Sequence, residues 1–309
     1  MTHIAVLGST NMDLVAYVEK APARGETVTG REFRTIPGGK GANQAIAAAR
    51  AGATVSMMGA VGNDGFGSRL RSTLELPHSR IRSSGGTPIG VDTDHLRTTE
   101  GPSGTAHIVV DDEGGNAIVV IPGANGTVDH LSPGDEGLIA SADALLLQLE
   151  IPLAAVIAGA EAARAHGVRT ILTPAPAQPL PPELLAATDL LVPNEHEAAT
   201  LTGVPDPHAA AYVLLDQVPE VVITLGSAGS LYAARGQEPI TVPAPQVTAV
   251  DSTGAGDTFV GALAVALAET RPVPEALAWA AAAAALSVQR AGASASMPTR
   301  QEIEAQFAS

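Results

Sequence analysis

The 309-residue chain contains no cysteine, which excludes disulfides, thiol nucleophiles and thiolate metal sites. Aromatic residues make up only 3% of it, with a single tryptophan, so few rings are available to stack on a nucleobase. Basic residues are scarce as well: 17 Lys and Arg stand against 32 Asp and Glu, a formal charge of −15. That balance argues against nucleic acid held through its phosphates and reads as the solvated surface of an acidic protein. Long apolar runs are missing. The stretches Thr258 to Ala268 and Ala276 to Leu286 fall short of the ~18–20 residues of a membrane span and read as buried helices. The N-terminus enters a strand at once without a basic leader, so a cytoplasmic location with no membrane partner is expected.

What is present is 45% hydrophobic residues in alternating strand and helix patterns. Strands are expected at His3 to Leu7, Thr54 to Ala60, Ala144 to Leu149, Arg169 to Thr173, Leu190 to Val192 and Glu220 to Leu225. Between them fall helices from Lys40, over Gly65 to Leu76, over Leu153 to His166 and from Glu195. This is the pattern of a parallel sheet with helices on both faces. Four further segments alternate as two-sided strands: Leu14 to Glu19, Thr27 to Thr35, Thr105 to Asp111 and Asn116 to Ile121. The last two are joined by Asp112-Glu-Gly-Gly, a hairpin signal. These four are expected to form a small sheet standing off the main body. Residues 77–88, rich in Gly, Ser and Pro, read as a surface loop insertion.

Two glycine clusters carry the chemistry. In Asp251-Ser-Thr-Gly-Ala-Gly-Asp257 a turn of small residues opens a helix, so the N–H groups of Gly254, Ala255 and Gly256 can converge on an anion. Asp257 beside such a hole makes sense as the base for an attacking hydroxyl, and the site as one of phosphoryl transfer. The second cluster, Ile36-Pro-Gly-Gly-Lys-Gly-Ala-Asn43, also precedes a helix, but Lys40 is followed by Gly, so it is no Walker A loop. G-x-G-x-x-G does not occur, which removes the main support for a dinucleotide-binding fold. Asn194 and Glu197 stand three apart at a helix start, where a capping interaction and a ligand role are both open.

Gly8-Ser-Thr-Asn-Met-Asp13, Gly38-Gly-Lys-Gly-Ala-Asn43, Pro193-Asn-Glu-His-Glu197 and Asp251 to Asp257 together resemble the ribokinase-like (PfkB) carbohydrate kinases, nearly end to end. Gly123-Ala-Asn125, Gln148-Leu-Glu150 and Pro174-Ala-Pro-Ala177 are similar to the members that phosphorylate D-ribose. The resemblance implies a three-layer α/β/α sandwich with a mainly parallel central sheet, one domain over 1–309 with a β-sheet lid from about 12–36 and 104–121. It also implies a homodimer paired through that lid. The implied reaction is transfer from ATP to the 5-hydroxyl of D-ribose, with Mg²⁺ and with K⁺ as a monovalent activator.

By the same resemblance Asp257 is the base and Gly254, Ala255 and Gly256 form the anion hole. Asn11, Met12, Asp13, Gly39, Lys40, Gly41, Ala42, Asn43 and Glu150 line the sugar pocket. Asn194, Thr224, Leu225, Gly226, Ser227, Ala228, Gly229, Gly256 and Ala281 meet the nucleotide, and Glu197 acts on Mg²⁺ through water. Asp251, Thr253, Ser287, Arg290, Gly292 and Ser296 surround K⁺. The chain departs from the family at Ala281, where a polar residue is common, at Thr173, where Asn is usual, and at 77–88. Kinases for deoxyribose, fructose or a nucleoside remain alternatives, as does a sugar sensor that has lost activity.

Overall fold

The computed structural model describes residues 2–76 and 90–308, so the expected insertion at 77–88 lies outside the described residues. The chain opens with β1 (His3–Leu7), β2 (Asn11–Tyr17) and β3 (Glu32–Gly38), then α1 (Lys40–Arg50), β4 (Thr54–Gly62) and α2 (Gly65–Glu75). Strands β5 (Val91–Asp92), β6 (Leu96–Thr99), β7 (Gly104–Val110) and β8 (Asn116–Ile121) precede α3 (Asp135–Ala140). An alternating run follows: β9 (Ala144–Leu147), α4 (Leu153–His166), β10 (Arg169–Leu172), α5 (Pro182–Ala186), β11 (Leu190–Leu191), α6 (Glu195–Thr202), α7 (Pro207–Leu215) and β12 (Glu220–Thr224). The hairpin β13 (Ser230–Ala234) and β14 (Ile240–Val242) leads to α8 (Ala255–Ala268), α9 (Val273–Ser287) and α10 (Arg300–Phe307).

The main sheet runs β14-β13-β12-β11-β10-β9-β1-β4-β5, with β6 also on β4. It is parallel except at β12–β13 and β13–β14. Alternation along the strands divides the core in two. Ile4 and Val6 of β1, Leu146 of β9 and Val222 of β12 pack toward α1, α8 and α9. Their neighbours Ala5, Leu7, Leu145, Leu147, Val221 and Ile223 pack toward α4 and α7 on the other face. Strands buried on both faces must be apolar at nearly every position, which is why β1 and β9 read as unbroken hydrophobic runs. The result is a three-layer α/β/α sandwich. No described helix is long and apolar enough to cross a membrane.

A separate four-stranded sheet has the order β3-β2-β7-β8. Two of its strands, β3 and β2, are bounded differently from expectation. β3 begins at Glu32 rather than Thr27 and runs on through Pro37 to Gly38. Proline cannot donate to a ladder, but β3 is an edge strand, where that donor is not needed. β2 begins at Asn11 rather than Leu14, so Asn11 and Asp13 are already part of the sheet. The Asp112 to Gly115 hairpin closes through Asp111 N–H to Gly115 O at 3.0 Å.

Candidate active site

The polar residues singled out in the sequence gather at the C-terminal ends of the parallel strands, where an open α/β sheet presents ligands. The turn after β1 supplies Ser9 and Thr10, β2 opens with Asn11, β9 leads into Gln148 and Glu150, β10 into Thr173, β11 into Asn194 and β12 into Gly226. Two helices enter this edge by their N-termini. α1 starts after Gly39, whose φ of 93° belongs to glycine; a Cβ there would also lie 2.7 Å from Asn11 N and 2.9 Å from Thr10 Cα. α8 starts after Gly254 with φ 74° and no side-chain cap. Small residues let these helices touch: a Cβ on Gly261, one turn beyond Asp257, would come 2.6 Å from Ala47 Cβ and 2.7 Å from Gln44 O. That approach brings Asp257 against the first turn of α1.

Asp257 is buried, and both of its carboxylate oxygens accept hydrogen bonds from α1. Asn43 Nδ2 donates to Oδ2 at 3.0 Å and Gln44 Nε2 to Oδ1 at 3.1 Å. Burial pushes its pKa up, Lys40 and the two amides pull it back, and Glu150 adds to the rise; the net direction is upward. Of the expected anion hole, Ala255 is a correction: its N–H donates to Ser252 O at 3.2 Å within the turn. Among the described residues the N–H groups of Gly254, Gly256 and Asp257 have no acceptor and remain available at the dipole's positive end.

Beside the base lies an acidic pocket. Glu150 accepts from Ser9 Oγ at 2.5 Å, from Lys40 N–H at 3.0 Å and from Asn11 Nδ2 at 3.5 Å. Asn125 fixes Asn11 from behind, donating to its Oδ1 at 2.8 Å. Asp13 stands against the Cα of Gly38 with no donor to its carboxylate among the described residues, and its pKa is pushed up to about 7 by burial, Glu150 and Asp257, against the pull of Lys40. For Lys40 burial works downward, but Asp257, Glu150, Glu197 and Asp13 outweigh it and hold the ammonium above its usual range. Met12 and Ala42 have no side chain in this pocket. Both side chains lie in the main core, because strand and helix periodicity turns them away from Asn11, Asp13 and Asn43. Gly41 meets the β1–β2 turn: a Cβ on it would be 2.6 Å from Ser9 N.

Two cavities meet at the N-terminus of α8. A polar one of about 210 Å³ is lined by Lys40, Thr173, Asn194, Glu197, Gly256 and Asp257. An apolar one of about 290 Å³ runs from Thr224, Gly226, Ser227 and Gly229 to Phe259, with Ala281, Ala284, Ala285 and Val288 of α9 and its C-terminus as its wall. These four recur at the spacing of one helical face, and alanines keep the slot wide. Leu225 packs instead against the core below the sheet, and Ala228 is not among the residues that line the cavity. Asn194 and Glu197 form a reciprocal capping box, with Asn194 N–H to Glu197 Oε2 at 2.9 Å and Glu197 N–H to Asn194 Oδ1 at 2.7 Å. Both nevertheless line the polar cavity, and burial raises the pKa of Glu197.

Behind the anion hole the loops 250–254 and 287–296 are tied together. Asp251 accepts from Thr253 N–H at 2.9 Å and from Gly292 N–H at 2.8 Å, and Val250 N–H reaches Val288 O at 2.7 Å. Arg290 and Ser287 share a turn, but the guanidinium of Arg290 goes to Glu302. Ser296 is buried and donates to Ala293 O at 2.7 Å. Ser9, Asn125 and Gln148 belong to motifs of the family resemblance and Gln44 follows one, but sequence alone gives none of them a role, because their partners are distant along the chain.

A buried carboxylate, unbonded amides at a helix N-terminus and an apolar slot in one cleft suit a small-molecule phosphotransferase. The family model for pfkB carbohydrate kinases matches residues 1–300. Ribokinase of Bacillus subtilis is 43% identical over 98% of this chain and 99% of its own length, and that of Schizosaccharomyces pombe 40% over 99% and 98%. The solved structure of Arabidopsis thaliana ribokinase complexed with ribose and ATP superposes with a TM-score of 0.90 at 35% identity, covering 99% of both chains. The chain belongs to the pfkB family of carbohydrate kinases.

Proposed function

We infer that this chain is an ATP-dependent ribokinase, converting D-ribose and ATP to D-ribose 5-phosphate and ADP. The observation that carries the reading is the buried Asp257 between the acidic pocket and the polar cavity, in a chain similar to curated ribokinases over nearly its whole length. Asp13, Glu150, Asn11 and Asn43 present short, fixed acceptors and donors suited to sugar hydroxyls, and Asn43 Oδ1 is buried without a donor. With ribose among them, its primary hydroxyl faces Asp257, which takes the proton as the oxygen attacks the γ-phosphate held by the Gly254, Gly256 and Asp257 N–H groups. ADP release measured on a panel of ribose, 2-deoxyribose, fructose and nucleosides tests this, and a preference for any of the others would move the substrate.

Carboxylate and amide oxygens at Glu197 and Asn194 fit Mg²⁺, which would be held through water and would neutralise phosphate charge when bound. The carbonyl-rich loops around Asp251, Thr253, Ser287, Gly292 and Ser296 fit a large monovalent ion such as K⁺. Glu197→Gln is expected to raise the Mg²⁺ concentration for half-maximal rate, and exchange of Na⁺ for K⁺ at constant ionic strength to raise the rate. An unchanged Mg²⁺ curve would leave Asn194 and Glu197 as a capping box alone, and equal rates in the two salts would remove the monovalent site.

The four-stranded sheet serves as the lid over the sugar, and a second copy covers its outer part. Ile118, Val119, Val120 and Ile121 of edge strand β8 are exposed in succession, as is Phe33, an arrangement that a lone soluble sheet avoids. Sedimentation at micromolar concentration should give twice the 31.1 kDa chain mass, and Val119→Lys should halve it. A wild-type monomer would overturn the dimer.

A further inference from the structure

The carboxylate of Asp257 is not held by the residues of the expected site alone. Gln44 lies one position beyond the glycine-rich segment and is completely buried. Its Nε2 donates to Asp257 Oδ1 at 3.1 Å and to Thr173 Oγ1 at 3.2 Å. Its Oε1 accepts from Nε2 of Gln148, also completely buried, at 2.7 Å. The orientation of both amides follows from the acceptor at the end of the chain. An ionised Asp257 can only accept, so Gln44 must turn its nitrogen toward it and its oxygen away, and that oxygen demands the nitrogen of Gln148. The remaining Gln148 Oε1 has no donor and rests on Gly8, where a Cβ would stand 2.0 Å from it. Two neutral glutamines buried without solvent contact are costly unless their geometry is used.

We propose that Gln44, locked by Gln148, is a positioning residue for the base: it sets which face of the Asp257 carboxylate meets the sugar hydroxyl, and it favours the ionised form. The proposal rests on Asp257 being the base. Asn43 grips the other oxygen at 3.0 Å, so the two successive α1 residues hold the carboxylate plane from both sides. The bond to Thr173 joins this grip to the polar cavity, because Thr173 lines it and, having accepted from Gln44, keeps its hydroxyl proton to offer there. Base and phosphate cavity are thereby set on one amide. The charged groups acting on Asp257 are Lys40 on α1, Glu150 beyond β9 and Asp13 on β2, with Glu197 of α6 across the cavity. None of them replaces the donor that Gln44 supplies.

Removing that donor has two consequences that a packing role would not produce. The carboxylate loses a hydrogen bond to its charged form, so it stays protonated to higher pH, and its plane is free to turn. Gln44→Leu should lower kcat about tenfold or more with the Michaelis constants for ribose and ATP within about twofold, and should move the acidic limb of kcat upward by about one pH unit. Gln44→Glu keeps the shape and volume but sets a second carboxylate against the first, so its limb should move further upward, and it serves if the leucine variant folds poorly. Gln148→Met should show the same shift to a smaller degree. If the pH profiles of Gln44→Leu and Gln44→Glu superimpose on that of the wild type, while Asp257→Asn is inactive, the positioning role is wrong and the base assignment stands. If Asp257→Asn turns over normally, the base assignment itself has failed.

Discussion

Asp257→Asn should lower kcat by roughly 10²–10⁴ while ribose and nucleotide still bind, since general base catalysis contributes on that order. The substitution preserves volume in a site that is only 9% exposed, so the helix contact between α1 and α8 has no reason to open. It replaces an acceptor-only group by an amide, however, and one of the two donors, Asn43 Nδ2 or Gln44 Nε2, then meets an NH₂ group. A modest repacking of that amide is expected, against the gain of no longer burying a charge. Calorimetric titration of both ligands, together with steady-state rates, separates binding from chemistry. In the wild type the upward-shifted Asp257 must ionise before it can accept the proton, so kcat should rise with pH along a limb placed above the ordinary carboxylate range. Near-normal turnover in the variant would dismiss Asp257 as the base.

Much of this site could be read along the chain because its parts are local. The helix beginning at Lys40, the capping pair Asn194 and Glu197, and the turn before α8 each declare themselves within a few residues, through glycine placement and helix-start chemistry. Side-chain direction is not carried to the same extent: the resemblance groups Met12 with Asn11 and Asp13, although period two in β2 turns it the other way, and the structure puts its side chain in the core. What sequence could not give are pairings across long separations. Gln44 reads as one more residue of an amphipathic helix, and Gln148 as the end of a strand. Only the crossing of α1 over the strand ends reveals that they touch across 104 positions, and that Thr173, bonded to the same Gln44 amide as Asp257, lines the polar cavity. The strands β13 and β14 were missed for a related reason, since their pairing, antiparallel to an otherwise parallel sheet, is a tertiary fact. Nor does residue type show that the carbonyl of Ser252, three residues earlier, accepts from the Ala255 amide.

Asp13→Ala should raise the Michaelis constant for ribose at least about tenfold and leave that for ATP within about twofold. The carboxylate feels the charges of Glu150, Asp257 and Lys40, and neither of the two cavities proposed for the nucleotide includes it. Each hydroxyl hydrogen bond it accepts is charge-assisted and worth ~1.5–3 kcal/mol, so loss of one suffices for the tenfold change. Its pKa of about 7 adds a sign that distinguishes this residue from others in the pocket. Burial raises the folded-state value above that of the unfolded chain, so protonated Asp13 stabilises the apo protein at low pH, and that contribution is lost as pH rises from about 4 through 7. Ribose acts in the opposite sense. It supplies donors to the ionised carboxylate, so its affinity should increase with pH across the same window, and the rise in melting temperature that it produces should be larger at pH 8 than at pH 6. Asp13→Asn, which cannot ionise, should lose this pH dependence while keeping the fold. A pH-independent ribose affinity in the wild type, or unaltered ribose kinetics in Asp13→Ala, would take Asp13 out of the sugar pocket and leave Glu150, Asn11 and Asn43 as its polar lining.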